Sequence, residues 1–242
     1  MSMTNGEIME GIEMEPEVTP DFVVLDLDRT LIDNDVLVDI IRKSLTSFGM
    51  TQAQITELSE NEKDNKGNSF DYLGAMLAIA PNLNLTKIVE SIKNHPDFTS
   101  ILVGGAKELL AALRDKNIAH GILTYGSNPD WQYMKTDILR TLCGIEEEEL
   151  VAAVTKTEGK ATYIEESWYD SDKKMFLVPE ELSGMPGGLW VRRIHIFDDK
   201  DINLEISGTV PIEVYPIVAA NANSLRLHTS NLMNHISDVE AA

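Results

Sequence analysis

The chain has a single cysteine, Cys143, in 242 residues, so it can form no intramolecular disulfide and must hold its fold by packing. A lone thiol of this kind is expected to fill space as a small buried residue and not to act as a nucleophile. Positive charge is scarce as well. Twenty Lys and Arg stand against 40 Asp and Glu, for a formal net charge of -20. Such a surface repels nucleic acid and anionic lipid, both of which are bound through clustered Lys and Arg, so neither is an expected partner. The same charge repels phosphorylated compounds. An anion site in this chain therefore has to rest on a bound cation and a few locally placed donors.

Long apolar runs are missing: none approaches the roughly 20 residues needed to cross a bilayer. The first basic residue is Arg29, so the start of the chain has neither the positive region nor the apolar stretch of a secretion signal. A soluble, cytoplasmic protein is the expectation. No internal repeat is present. The hydrophobic fraction, 43%, is ordinary for a globular chain. Its length allows one α/β domain with a modest insertion, or two small domains.

Residues 1–19 mix Glu7, Glu10, Glu13, Glu15 and Glu17 with Met and Gly and show no apolar period, which predicts a flexible acidic tail ending at Pro20. Residues 22–25 are a β-branched and aromatic run that closes on polar residues, the pattern of a buried parallel strand whose carboxyl end meets solvent. From Asp33 to about Ser100 the pattern turns helical, with apolar residues at three- and four-residue steps from Val36 to Phe48 and further helices over 51–61, 69–79 and 85–93. This predicts a helical domain over residues 34–100 inserted into a core made of 20–33 and 101–242; the alternative is that these helices cover one face of a sheet.

Strand and helix alternate afterwards. Helices are predicted at 104–115, near 130–142 and from about Ala161, and strands at 119–123, near 150–154, at 190–197 and at 211–217. Units of this length imply an α/β fold with a parallel, doubly wound, Rossmann-like sheet. Ligands of such sheets collect at the carboxyl ends of the strands.

Three predicted strands end in polar residues that fit one site there: Asp26 and Asp28 after the first, Thr124 after 119–123, and Asp198 with Asp199 after 194–197. Residues two apart on an extended segment project to the same side, so Asp26 and Asp28 can face one group. Four carboxylates on one rim repel each other unless a divalent cation neutralises part of their charge, and oxygen-only ligands point to Mg2+ over zinc. An ionised Asp26 suits the role of nucleophile, forming an aspartyl-phosphate. Asp28 suits the proton donor for the leaving group and the base that then activates water. Thr124, followed by Tyr125 and Gly126, is placed to aim its hydroxyl and neighbouring amides at phosphoryl oxygens, or else to cap a helix. A lysine is required to offset the phosphoryl charge. Lys160, which opens a predicted helix, is the choice, with Lys156 and Lys135 as competitors.

In order and spacing these elements resemble the haloacid dehalogenase superfamily of phosphatases and phosphotransferases. Its Asp-x-Asp-x-Thr motif stands here as residues 26–30, its strand ending in Thr as 121–124, its lysine as Lys160 and its acidic pair as Asp198 and Asp199. The resemblance implies a Rossmann-like core with Asp26 as nucleophile, Asp28 as acid and base, and Thr124 and Lys160 on the phosphoryl group. It implies Mg2+ held by the Asp26 carboxylate, the Asp28 backbone carbonyl and Asp198, with Asp199 close by. It further implies that the helical insertion is a cap that closes over the site and selects the substrate, a small phosphorylated metabolite. Asp28 argues against dehalogenation and phosphonate cleavage, which in this superfamily dispense with that aspartate. Phosphotransfer to another alcohol, as in a phosphomutase, is the near neighbour.

Some features depart from that pattern or stand outside it. Arg29 occupies the variable place in the first motif, where a solvent-facing role is expected. The stretch 167–188 is longer than a minimal link between the third and fourth motifs. Asp201 competes with Asp199 as the second acid of the last motif. Asn34 and Asp35 would line the cap hinge or start a helix, and Tyr125 and Trp131 would meet the organic part of a substrate or pack. His120 and His195 lack companions at metal-ligand spacing and are read as structural. Two other classes compete: a signalling receiver, in which the order of acidic pair and phosphoacceptor is reversed, and a catalytically silent relative that only binds.

Overall fold

A computed structural model of the chain describes residues 18–64, 70–206, 208, 210–218 and 223–240. The acidic stretch 1–17 lies outside them. Among the described residues, seven strands form one sheet: β1 (Val18–Leu25), β2 (Ala119–Tyr125), β3 (Ala152–Thr155), β4 (Tyr169–Asp170), β5 (Met175–Val178), β6 (Leu189–Asp198) and β7 (Ile212–Pro216). The helices are α1 (Asn34–Ser44), α2 (Gln52–Asp64), α3 (Tyr72–Ile79), α4 (Leu85–Lys93), α5 (Ala106–Asp115), α6 (Pro129–Cys143), α7 (Lys160–Trp168), α8 (Glu180–Ser183) and α9 (Ser224–Glu240). No helix among them is long and apolar enough to cross a membrane.

The sheet runs β3-β2-β1-β6, and every one of these pairings is parallel. The far edge of β6 is shared. β7 pairs with its carboxyl half in parallel, while β5 pairs with its amino half antiparallel and carries β4 beyond it. The expected doubly wound α/β fold is therefore present. Its reason is legible in β1, where Val23 and Leu25 enter one apolar cluster and Phe22 and Val24 the other. A strand buried on both faces needs helices on both sides. The first cluster includes Ile138 and Leu139 of α6 and Leu225 and Leu232 of α9; the second includes Ala161 and Ile164 of α7 and Leu182 of α8.

Helices α1 to α4 fill the predicted helical stretch and bring Leu37, Ile41, Tyr72 and Ile88 into the same cluster as Val23 and Leu25. The chain leaves the sheet and comes back at one place. The Asp33 amide donates to the Ile101 carbonyl at 2.7 Å, and the Val103 amide to the Leu31 carbonyl at 3.0 Å. Asp33 also caps α1, its carboxylate accepting from the amides of Asp35 and Val36.

Three features differ from the sequence reading. β1 begins at Val18, so residues 18 and 19 are strand and not tail. Pro20 is tolerated there because β1 pairs with β2 only from Phe22 onward, which leaves one edge of the strand open beside the proline. The long link after α7 is no loop: it contains the β4–β5 hairpin and α8, which widen the sheet. Gly121 lets α8 approach β2, since a Cβ there would stand 2.7 Å from the Leu182 carbonyl oxygen. Finally, α9 closes one face through Leu225, Leu232 and Ile236, an amphipathic pattern the strand-based reading passed over.

Candidate active site

The register of the central strands sets the site. Leu25 of β1 pairs with Phe197 of β6, so the next residues along the two chains, Asp26 and Asp198, emerge side by side at the carboxyl edge. The Asp26 amide donates to the Phe197 carbonyl at 2.8 Å, which extends the ladder by one bond. On the other side Leu25 pairs with Ile122, and Thr124 stands two residues further along β2, one before its end. One edge of a parallel sheet thus gathers the residues that the sequence separates by more than 170 positions.

Lys160 closes this group. Gly159 takes a left-handed backbone, φ 79°, which suits glycine, and turns the chain so that Lys160 opens α7 toward the edge. The lysine is fully buried, and its Nζ donates to an oxygen of Asp26 and, at 2.6 Å, to Oδ2 of Asp198. Asn203 secures the arrangement from below. Its side-chain amide donates to both oxygens of Asp198 at 3.0 Å, and its carbonyl oxygen accepts from the Gly159 amide at 3.0 Å. The Lys200 amide adds a third donor to Asp198 at 2.9 Å. Asn203 is a residue the sequence did not single out; it sits in a short turn (Asp201–Leu204) where an Asn carries no distinguishing signal.

Carboxylate oxygens of Asp26, Asp198 and Asp199 lie within 4.8 Å of one another. Three hard oxygen donors so close together, with one ammonium among them, fit a hard divalent cation. Burial lifts the Asp26 carboxyl; Lys160 opposes this, Asp198 and Asp28 add to it, and its pKa settles at about 7. Asp199 is raised by burial and by its neighbour Asp198. Burial alone would discharge the Lys160 ammonium, but Asp26 and Asp198 outweigh it and hold its pKa above the ordinary value. The site therefore carries an excess of negative charge that one lysine does not cancel.

Asp28 is served by a different lysine. Lys135, on the second turn of α6 and fully buried, donates to Oδ1 of Asp28 and stands 5.3 Å from the ring centre of Trp131. Burial lowers the Lys135 pKa, against the pull of Asp28, Asp26 and Asp71. After Asp28, Arg29 takes a left-handed backbone, φ 64°, and its amide donates to the Ile32 carbonyl at 2.7 Å.

No curated protein matches the sequence. The model of the family described as haloacid dehalogenase-like hydrolases matches residues 23–138, a stretch that carries Asp26, Asp28, the four helices α1 to α4 and Thr124. Over that stretch, a little under half of its 242 residues, the chain is similar to this family. Among solved structures, one described as a haloacid dehalogenase-like hydrolase, from Burkholderia xenovorans, shares the fold with a TM-score of 0.50 at 19% identity, over 85% of this chain and 87% of that one. A phosphoserine phosphohydrolase-like protein of Francisella tularensis matches at 20% identity over 76% and 80% of the two chains, with a TM-score of 0.37. A family enzyme of Bacteroides thetaiotaomicron, determined as a magnesium complex, matches at 13% identity over 84% and 95%, with a TM-score of 0.40.

The remaining candidates fall as follows. Thr124 is buried at the edge, where its hydroxyl donates to Gln132 of α6 at 3.3 Å. Gln132 in turn donates to the Tyr125 carbonyl at 3.2 Å. The Gly126 amide is engaged by the Thr155 carbonyl at 3.2 Å, so in this geometry it is no free donor for a phosphoryl oxygen. Tyr125 is half-buried with Lys200 over its ring at 5.8 Å, and Trp131 is packed beneath Lys135. Of the three lysines weighed for the family's third motif, Lys160 meets Asp26, Lys135 meets Asp28, and Lys156 is exposed. Asp201 is exposed too, while Asp199 is half-buried and joins the cluster. Asn34 begins α1 and Asp35 lies exposed in its first turn.

Three residues read as structural sit away from this edge. His195 is buried between Asp21, at 2.8 Å, and the Tyr215 hydroxyl, at 3.3 Å. His120 contacts the Ile118 carbonyl at 2.8 Å. Burial pushes the Cys143 thiol up to about 11, which leaves it a poor nucleophile.

Proposed function

We propose that the protein is a magnesium-dependent phosphohydrolase that cleaves a small phosphorylated metabolite through an aspartyl-phosphate on Asp26. The observation that carries this reading is the buried Asp26 carboxylate, held by Lys160 against Asp198 and Asp199 at the carboxyl edge of the sheet. Asp26 attacks phosphorus through a carboxylate oxygen, and the bond from phosphorus to the ester oxygen breaks. Asp28, two residues on, gives its proton to the departing oxygen and then takes one from the water that attacks the acyl phosphate, so that Asp26 is regenerated and inorganic phosphate is released. Lys160 keeps Asp26 in place and offsets charge on the phosphoryl oxygens, and the Thr124 hydroxyl is a further donor to them. Asp26, Asp198 and Asp199, with the backbone carbonyl of Asp28, would hold Mg2+, whose charge neutralises the phosphoryl oxygens as the nucleophile approaches.

Helices α1 to α4 act in this reading as the cap that excludes water and selects the substrate, moving on the paired segments beside Asp33 and Ile101. Asp28 favours phosphate esters over haloacids as substrates, since a dehalogenation that expels halide has no leaving oxygen to protonate. The test is turnover of p-nitrophenyl phosphate. The parent hydrolyses it only with Mg2+, and Asp26→Asn abolishes the activity; turnover that survives both removal of the metal and that substitution overturns the reading.

A further inference from the structure

The phosphohydrolase chemistry uses Lys160 and leaves a second buried lysine without a task. Lys135 lies in the interior of α6 with none of its side chain exposed. Placing an ammonium there is costly unless it is paired, and replacing such a pair by apolar residues of similar volume is often neutral or stabilising. Packing alone therefore does not explain a lysine at this place. Its partner is not on a neighbouring turn of α6 but 107 positions away in sequence, on the loop that follows β1.

Asp28 differs from Asp26 and Asp198 in how it is held. Its side chain is 25% exposed, and among the described residues Lys135 supplies the one hydrogen bond made to its carboxylate, at Oδ1. Oδ2 makes no hydrogen bond among the described residues. By contrast, Asp198 accepts from Lys160, Asn203 and Lys200. An aspartate fixed at one oxygen has its second oxygen aimed, whereas an untethered one samples several rotamers and meets a bound ester in only some of them.

The anchor is itself rigid. α6 starts at a cap made by Asn128, whose side-chain oxygen accepts from the Asp130 and Trp131 amides. The amide of the same side chain donates to both oxygens of Asp71, at 3.1 and 3.0 Å, and Asp71 caps α3 through the Gly74 amide. The helix that carries Lys135 is thus tied at its first turn to the inserted helices.

We infer that Lys135 is a positioning residue, which anchors one oxygen of the Asp28 carboxylate so that the other is presented to the leaving oxygen of the bound ester. The inference rests on the phosphohydrolase reading and assigns a task within it.

The experiment compares kcat/KM for p-nitrophenyl phosphate and phenyl phosphate, two esters of similar shape whose leaving groups differ in how much they need a proton. It uses the parent, Lys135→Met, Asp28→Asn and the double variant. Because kcat/KM covers the steps through phosphoryl transfer, and both esters are measured on the same preparation, the ratio of the two is independent of the folded fraction. Lys135→Met is expected to depress phenyl phosphate about 10- to 100-fold more than p-nitrophenyl phosphate, the scale of general acid catalysis. In the Asp28→Asn background the same substitution leaves the ratio unchanged, since it acts through Asp28. An equal fall for both esters, total loss included, or an undiminished effect without Asp28, overturns the positioning role while the phosphohydrolase reading stands. A parent that turns over neither ester with Mg2+ overturns that reading, and this inference with it.

Discussion

Lys160 and Asp198 form a pair with no exposed side-chain surface, 2.6 Å apart, at the point where α7 meets the end of β6. The same ammonium also binds Asp26, so two buried carboxylates share one positive charge. Removing it leaves both uncompensated. Lys160→Met is expected to abolish turnover of p-nitrophenyl phosphate and, without divalent cations, to cost about 3 to 5 kcal/mol of stability. Urea unfolding with and without Mg2+ checks this. Magnesium should recover more stability in the variant than in the parent.

Asn203 is expected to act through Asp198 and the Gly159 amide. Asn203→Leu keeps the branched shape and removes all three of its hydrogen bonds across the site. By analogy with other groups that orient metal ligands, the half-saturating Mg2+ concentration should rise about 10- to 100-fold. A magnesium titration of the turnover rate measures it.

The Asp26 carboxyl, raised to about 7 by burial and by Asp198 and Asp28 against the pull of Lys160, binds a proton that competes with a cation. The half-saturating Mg2+ concentration should therefore increase as pH falls below about 7 and level off above it. Magnesium activation curves at a series of pH values test this. A concentration that does not change with pH contradicts it.

The cluster around His195 makes a prediction for stability alone. Burial would lower the His195 pKa, but Asp21 and Glu213 outweigh it and the folded-state value lies above the ordinary one. A group raised in this way contributes stability below its unfolded pKa of about 6.5, and loses it as pH rises through the folded value. Glu213 has the opposite sign: its pKa is lowered to about 2 by His195, despite partial burial, so its contribution is present above the ordinary glutamate range and lost as pH falls toward 2. Stability measured by urea unfolding should decline above neutral pH in the parent, and His195→Gln should flatten that decline while leaving Mg2+-dependent turnover intact.

Much of this site was legible because strand ends carry its chemistry. The apolar run before Asp26 and the run before Asp198 each mark a buried strand, and parallel pairing then brings their ends together. Helices α1 to α4 were legible from their apolar spacing. Lys135 was weighed only as a rival to Lys160, since nothing in a sequence says that two lysines 25 positions apart will face two different aspartates. Asn203 left no trace because its value lies in bonds to residues 159 and 198, set by a short turn. The start of β1 was missed because Pro20 reads as a strand breaker, and the strand survives it only where a neighbour is absent. The β4–β5 hairpin was missed because Met175–Val178 is too short to show a period.

The proposed mechanism requires that Asp26 become covalently phosphorylated. The most direct measurement is a rapid acid quench of the enzyme during turnover of p-nitrophenyl phosphate with Mg2+, followed by mass spectrometry of the intact chain and of its peptides. The expected result is a species heavier by one phosphoryl group, labile to hydroxylamine as an acyl phosphate is, located on Asp26 and missing in Asp26→Asn. A phosphoryl group found on another residue, or turnover in which Asp26 is never modified, would contradict it.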